Sequence, residues 1–313
     1  LATGCAGRWA LRPNSRRLET EGATNLQGNS KKRNRLGGAR QPNMVNWESI
    51  LKEAGEQVQS VADRYKGRKS GLEEMGHGAG GDMTMKVDAD AEKAIMDLVK
   101  GQVEDVRFVT EEAGVVGAAS ASWTVIIDPI DGSGNYARRL PFYCTSIAVL
   151  DGPTLNEAKF GMVRDLTSEE TYYAERGAGA ERDGTPMKTS KAKKLKDSCV
   201  GIDMSKAPRA TVERLVPLIA AVRKPAHFGA NALEQAFLAD AKIDAFVDIR
   251  DRMRVVDFAA GYLIAKEAGA VMSDPQGRPI NTKVSLDEKF NVVASCNGTL
   301  QQRILDLLNP APK

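Results

Sequence analysis

The chain has 313 residues, 42% hydrophobic and 27% charged, the composition of an ordinary globular protein with room for one large domain or two sharing a cleft. No apolar run approaches the roughly 20 residues that span a bilayer, which excludes a transmembrane helix. The formal charge of +3 misleads, because residues 1–43 hold nine Lys/Arg against two Asp/Glu; the rest carries 35 basic and 39 acidic residues, a net −4 that offers no footprint for nucleic acid.

Four widely spaced cysteines (Cys5, Cys144, Cys199, Cys296) form no CxxC pair and read as reduced thiols of a cytoplasmic protein. The two histidines, His77 and His227, exclude a histidine-rich metal site. A Ser–His–Asp triad is allowed by number, but neither histidine sits in a recognisable nucleophile context.

Residues 1–43 are rich in Arg, Asn and Gly, lack hydrophobic periodicity and give way to Met44, a plausible native start. They read as an expression leader, with a transit peptide as the alternative although serine is limited to Ser15 and Ser30. From Trp47 to Tyr65 apolar residues recur at helical spacing. Gly67 to Gly81 reads as a glycine-rich loop ending at Asp82. Asp88 stands at an N-cap position before a helix marked by Ala91, Ile95, Leu98 and Val99. Val106 to Val109 is a short strand with Thr110-Glu111-Glu112 at its end.

The apolar, β-branched run Trp123 to Ile127 predicts a buried strand that stops at Asp128-Pro129, followed by turn chemistry in Asp131-Gly132-Ser133-Gly134-Asn135. Two carboxylates three residues apart repel unless a cation lies between them. Oxygen ligands on a tight loop suit a hard ion such as Mg2+, and the glycines let backbone N–H groups approach an anion. A plain surface turn is the alternative.

Strands near 143–150, 157–163 and 169–175 suggest an antiparallel sheet, with turns at 177–180 and 183–184. Beyond residue 190 the pattern alternates: a strand near 199–203, a helix at 208–222 with Pro208 in its first turn, a helix at about 231–240 and a strand from Ile243 to Ile249. An apolar helix from Val256 to Ala268 is opened by Asp257. Strands near 270–273 and 291–295 and a helix near 298–308 complete the chain. An α+β half (44–190) and an α/β half (191–313) facing each other across a cleft fit this order.

Asp88, Glu111/Glu112, Asp128 with Asp131, and Asp257 all fall at a helix start or a strand end. Each has a structural alternative, as an N-cap or a solvated pair. Their joint occurrence, with Asp257 opening a helix too apolar to be exposed, favours one shared metal site.

Residues Phe108-Val-Thr-Glu-Glu112 and Ile127-Asp-Pro-Ile-Asp-Gly-Ser-Gly-Asn-Tyr136 resemble the first signature of the inositol monophosphatase family. Val256-Asp-Phe-Ala-Ala-Gly-Tyr-Leu-Ile-Ala-Lys-Glu-Ala-Gly269 resembles its second, and Asp183-Gly-Thr-Pro-Met-Lys-Thr-Ser190 the segment between them. The resemblance covers the chain from about Trp47 onward and implies the layered αβαβα sugar-phosphatase fold with Mg2+-dependent phosphomonoester hydrolysis. By motif, Glu111, Asp128, Asp131, Asp257 and the Ile130 carbonyl match ligands for two or three Mg2+ ions. Gly132 and Ser133 match backbone donors to the phosphate, while Asp88 and the Ser133 hydroxyl match the groups that orient the attacking water. The implied mechanism is in-line displacement by metal-activated water, without a covalent nucleophile.

The departures bear on substrate. Inositol-selective relatives place a glutamate seven residues before the second-signature aspartate; here Arg250 stands there, in a basic run with Arg252 and Arg254. An arginine favours a second anion, as in a bisphosphate; a pair with Asp248 or Asp251 is the alternative. Val256 replaces a common Trp, and His77 stands where some relatives carry a lysine. The motif variants resemble archaeal members acting on both fructose 1,6-bisphosphate and inositol 1-phosphate. The expected protein is a cytoplasmic homodimer acting on a small sugar or inositol phosphate, without nucleic-acid or membrane partners. A 3′-phosphoadenosine 5′-phosphate phosphatase and a non-catalytic, transcription-associated relative are the alternatives.

Overall fold

The computed structural model describes residues 45–81 and 83–310. The leader at 1–43, Met44 and the Asp82 end of the glycine-rich loop lie outside the described residues. Helix α1 (Trp47–Tyr65) starts where the Asn46 side chain accepts from the Ser49 N–H at 3.1 Å. The expected loop after it holds a strand, β1 (Glu74–His77), which pairs antiparallel with β2 (Met83–Met85) just beyond the loop, leading into α2 (Lys86–Gln102). The first of these strands is exposed along its whole length, so no apolar alternation marked it in the sequence.

The next eight strands form one sheet: β3 (Val106–Thr110), β4 (Gly114–Val116), β5 (Trp123–Asp131), β6 (Cys144–Leu150), β7 (Ala158–Asp165), β8 (Thr171–Glu175), β9 (Gly179–Arg182) and β10 (Thr185–Pro186). Their order is β10-β9-β8-β7-β6-β5-β3-β4, and only the β3–β5 pair is parallel. The turns expected at 177–180 and 183–184 are right at Gly177 (φ 83°) and Asp183 (φ 47°), but a strand, β9, fits between them. A short helix, α3 (Ser133–Arg138), follows β5.

β5 does not stop at Ile127. It runs on to Asp131 through an irregularity: Asp128 faces Ser146 and Asp131 faces Cys144, so β5 holds one residue more than β6 over this stretch. Strand side chains alternate between faces, so residues three apart would normally point opposite ways. A bulge of one residue around Pro129, which has no N–H to donate to the ladder, restores parity and turns both aspartates to one side.

The second sheet uses β11 (Cys199–Ile202), β12 (Lys224–Ala226), β13 (Ala245–Met253), β14 (Val271–Ser273) and β15 (Phe290–Ser295), in the order β12-β11-β13-β15-β14. The helices are α4 (Arg209–Ala221), α5 (Asn231–Ala239), α6 (Val255–Glu267) and α7 (Gly298–Leu308). Pro208 is the N-cap of α4 rather than part of its first turn.

These elements stack in five layers. α1 and α2 cover one face of the large sheet through Val125, Ile127, Ile147 and Val149. α5 and α6 cover the other, where Ile126 and Ala148 point, and share a core with Phe246 and Val247 of the small sheet. α7, with α4 beside it, closes the far side. This is the layered αβαβα arrangement. The two sheets fall on either side of residue 190, yet one hydrophobic cluster spans both, and the described residues form one compact unit.

α6 is the middle of that core, buried at every position from Val255 to Ala265. It approaches β7 so closely that a Cβ on Gly161 would lie 3.0 Å from the Ala260 carbonyl oxygen. Gly161→Val should therefore force α6 off the sheet and cost about 2 kcal/mol. The urea midpoint measures this, and an unchanged midpoint would show that the contact is slack.

Candidate active site

Three segments deliver carboxylates to one cavity of about 810 Å3: the turn after β3, the β5 bulge and the start of α6, with the start of α2 behind them. Glu111, Asp128, Asp131, Asp257 and Ile130 line its floor, and Gly132 and Ser133 its side. Asp88 is not among the lining residues. It is buried behind them, at the third position of α2 rather than at the cap, and accepts from the Met85 N–H at 3.2 Å. Asp257 likewise is the third residue of α6, reaching back to the Arg254 N–H at 3.2 Å. Both are capping-box positions, which fix a carboxylate at the positive end of a helix.

Other contacts hold the remaining groups. The Ala232 N–H at the start of α5 donates to Asp131 Oδ2 at 2.6 Å. Gly132 (φ 87°) makes the left-handed turn out of β5, and a Cβ there would lie 3.1 Å from the Phe142 carbonyl oxygen and 3.2 Å from that of Gly229. Ser133 opens α3 beside the cavity, and the first bonds of that turn run from the N–H groups of Asn135 and Tyr136 to the Gly132 carbonyl at 2.8 and 3.0 Å. Glu92, absent from the sequence reading, accepts from the N–H groups of Glu112 (3.0 Å) and Ala113 (2.9 Å) and so fixes the Glu111–Glu112 turn. Its signal was there: Asp88 and Glu92 are one turn apart on the buried face of α2. Glu112 is engaged by Thr84 and does not line the cavity.

The floor is electrostatically overloaded. Burial, then the charges of Glu111 and Asp131, push the Asp128 carboxyl well above its ordinary range. Burial and Asp257 raise Asp131 to about 7, and burial raises Glu112 to about 7. Glu111 is raised by burial against the pull of Arg254, with the Asp257 charge adding to the rise. Asp88 is pushed up by burial and by Glu112 and Glu111.

Two arginines answer this charge differently. Arg250, expected to read a second anion, is clamped instead: Nε and Nη2 bind Asp248 at 2.8 and 2.7 Å, Nη2 binds Asp203 at 2.6 Å and Nη1 donates to the Ser205 carbonyl at 2.8 Å. The structure therefore has the ion pair with Asp248 that the sequence left open, while Asp251 pairs with Asn291. Arg250 still borders the cavity, but its charge is matched by two buried carboxylates. Arg254, grouped in the sequence only with a basic run, reaches the floor itself. Nε and Nη2 bind Asp257 at 2.9 and 2.8 Å, and Nη2 binds Glu111 at 2.6 Å.

The donor set fits a hard divalent cation. It is all oxygen, it is crowded with charge, and Asp128 Oδ1 is buried without a hydrogen-bond partner. Among the described residues no three carboxylates converge into a ready-made cage, since the Arg254 guanidinium lies between Glu111 and Asp257. Around the rim the charge reverses: Arg138, Lys206, Arg252 and Lys289 are exposed and border the same cavity. His77, on exposed β1, is not among the lining residues, whereas His227 is.

Raised carboxyl pKa values have a sign. Asp131 and Glu112 rise from 3.8 and 4.5 to about 7, so across that window the native state binds more protons than the unfolded chain. With divalent ions chelated, Tm should fall as pH climbs from about 4 to about 7. Asp128→Asn should raise Tm under the same conditions by removing one repelling charge. Calorimetry checks both, and a Tm that climbs through the window would refute the charge-repulsion account.

A model of the inositol monophosphatase family matches residues 44–312. The chain is 30% identical over 264 residues to a fructose-1,6-bisphosphatase/inositol-1-monophosphatase of Methanocaldococcus jannaschii, covering 84% of this chain and 100% of that one. It is 28% identical over 249 residues to a bifunctional NADP phosphatase/NAD kinase of Methanococcus maripaludis, covering 74% of this chain and 43% of that protein. A crystal structure described as an inositol monophosphatase–fructose 1,6-bisphosphatase superposes with a TM-score of 0.75 at 29% identity, covering 84% of this chain and 99% of that one.

Proposed function

The chain belongs to the inositol monophosphatase family, and from that premise we propose that it is a Mg2+-dependent phosphomonoesterase acting on fructose 1,6-bisphosphate and inositol 1-phosphate, with the bisphosphate preferred. The observation that carries the preference is the charge reversal within one cavity, acidic on the floor and basic on the rim. An acidic floor suits a cation and, through it, the reacting phosphate. A basic rim suits a second anion on the same substrate.

Glu111, Asp128, Asp131, Asp257 and the Ile130 carbonyl would hold the divalent ions, which supply positive charge against the phosphoryl oxygens and the attacking water. The chain's own groups do the rest. In this reading the N–H groups of Gly132 and Ser133, at the left-handed turn out of β5, would donate to phosphoryl oxygens. The Ser133 hydroxyl borders the cavity and can orient the water. Asp88 acts in this reading from beneath, from the side of the Glu111–Glu112 turn. Arg250 shapes the wall through its pairs with Asp248 and Asp203, and the second anion is left to Arg252 and Lys289. No residue serves as a covalent nucleophile.

A phosphorylated nucleotide is the second reading, favoured by the similarity to the NADP phosphatase. The proposal includes a cytoplasmic homodimer. Among the described residues Cys144, Cys199 and Cys296 are free thiols, and no helix is long and apolar enough to cross a membrane.

Phosphate release from fructose 1,6-bisphosphate, inositol 1-phosphate, NADP and 3′-phosphoadenosine 5′-phosphate, assayed side by side with Mg2+, tests this. Asp128→Asn should lower every turnover by at least about 100-fold. The double variant Arg252→Ala, Lys289→Ala should weaken the bisphosphate by about tenfold while sparing inositol 1-phosphate. Faster release from either nucleotide would transfer the assignment to the second reading.

A further inference from the structure

The acidic floor already contains a cation. Arg254 stands three residues before Asp257, and its guanidinium makes a two-point fork onto that carboxylate, Nε to Oδ2 at 2.9 Å and Nη2 to Oδ1 at 2.8 Å. The same Nη2 reaches Glu111 Oε1 at 2.6 Å, across 143 residues of sequence. The side chains of all three are largely shielded, at 12%, 15% and 8% exposure for Arg254, Glu111 and Asp257, so water screens their attraction poorly. Nη1 lies 3.3 Å from the Gly80 carbonyl oxygen, and a Cβ on Gly80 would come within 2.5 Å of Nη1. The loop carrying Gly80 thus packs directly on the guanidinium and has room for it because residue 80 lacks a side chain.

We propose that Arg254 is the resident cation of the Glu111–Asp257 pair, and that a divalent ion can use these two carboxylates together only by competing with it. The inference goes beyond the reaction assigned above and rests on that assignment only in taking the floor as a divalent-ion site.

The competition follows from which oxygens are used. Both Asp257 oxygens and Glu111 Oε1 point at one guanidinium. An ion drawing on the same lone pairs meets a charge tethered by the chain and therefore present at a fixed, high effective concentration. Asp128 is placed differently: its Oδ1 is buried and has no hydrogen-bond partner in the protein, so an ion arriving there has no guanidinium to displace. The floor accordingly has two classes of cation position, one open at Asp128 and one occupied by the protein itself. When Arg254 is displaced, the cavity it borders is the open space for its guanidinium.

The test counts ions and needs no turnover. Mn2+ binding to the chelator-stripped full chain is titrated by calorimetry, with Tm measured in parallel in chelator and in saturating Mn2+. The variants are Arg254→Met, Arg254→Lys and Asp128→Asn. Arg254→Met should bind one ion more than wild type, or bind Mn2+ about tenfold more tightly. Its Tm should fall in chelator, where Glu111 and Asp257 lose their counter-charge, and recover in Mn2+. Arg254→Lys keeps the charge but loses the fork, and should lie between the two in both measurements even if the Met variant folds poorly. Wild-type stoichiometry and affinity in both Arg254 variants would overturn the proposal while leaving the metal site intact. Mn2+ binding by no form of the protein would overturn the metal-site reading together with it. Loss of binding in Asp128→Asn alone identifies the open position and supports the division into two.

Discussion

Four carboxylates that are nearly buried cannot all be ionised side by side without a positive charge among them. That constraint organises this molecule. Glu111, Asp128, Asp131 and Asp257 arrive from three separate segments and meet where solvent screens them little. The chain meets the repulsion with helix starts beneath Asp131 and Asp257 and with one guanidinium. These measures are partial. Asp131 still sits near 7, so the floor remains a strong attractor for further positive charge. The negative charge of the floor is thus the residue of a folding problem that the protein solves only in part.

Two devices make such a floor possible. The extra residue in β5 turns Asp128 and Asp131 to the same side of a strand that is otherwise strictly alternating. The all-round burial of α6 places the Asp257 end of that helix between the two sheets. Neither is a local matter of the site. The bulge is defined against β6, and the seat of α6 is defined by glycines, Gly161 beneath it and Gly261 against Gln235 of α5.

Periodicity was enough to find the long elements. α1, the apolar core of β5 and the unbroken apolar run of α6 all announce themselves, because burial of one face or of every face leaves a pattern. The hairpin of β1 and β2 left none, since its first strand is fully exposed. The acidic cluster was legible because Asp128-Pro-Ile-Asp131 is adjacent in sequence and the other carboxylates mark element ends. What answers those charges was not. Arg254 finds Glu111 across 143 residues, and Arg250 finds Asp203 from a strand separated by two helices. A pairing of that kind is a property of the packed sheets rather than of any window of residues. The sequence therefore showed which groups carry negative charge and left open which arginine was committed to structure.

The separation between floor and rim has a further meaning. Carboxylates of the floor hang from β5, α6 and the β3 turn, the parts of the chain most deeply tied into the core. Arg138, Lys206, Arg252 and Lys289 sit at the end of a short helix, in a turn, in the irregular stretch of β13 and in the loop before β15. Exchange at those four places disturbs little packing, whereas a change in α6 strikes the fold and the reaction at once. Heritable variation in such a molecule has a divided outlet. The charge around the rim is free to change with the outer loops, while the acidic floor is bound to the same contacts that keep the protein folded.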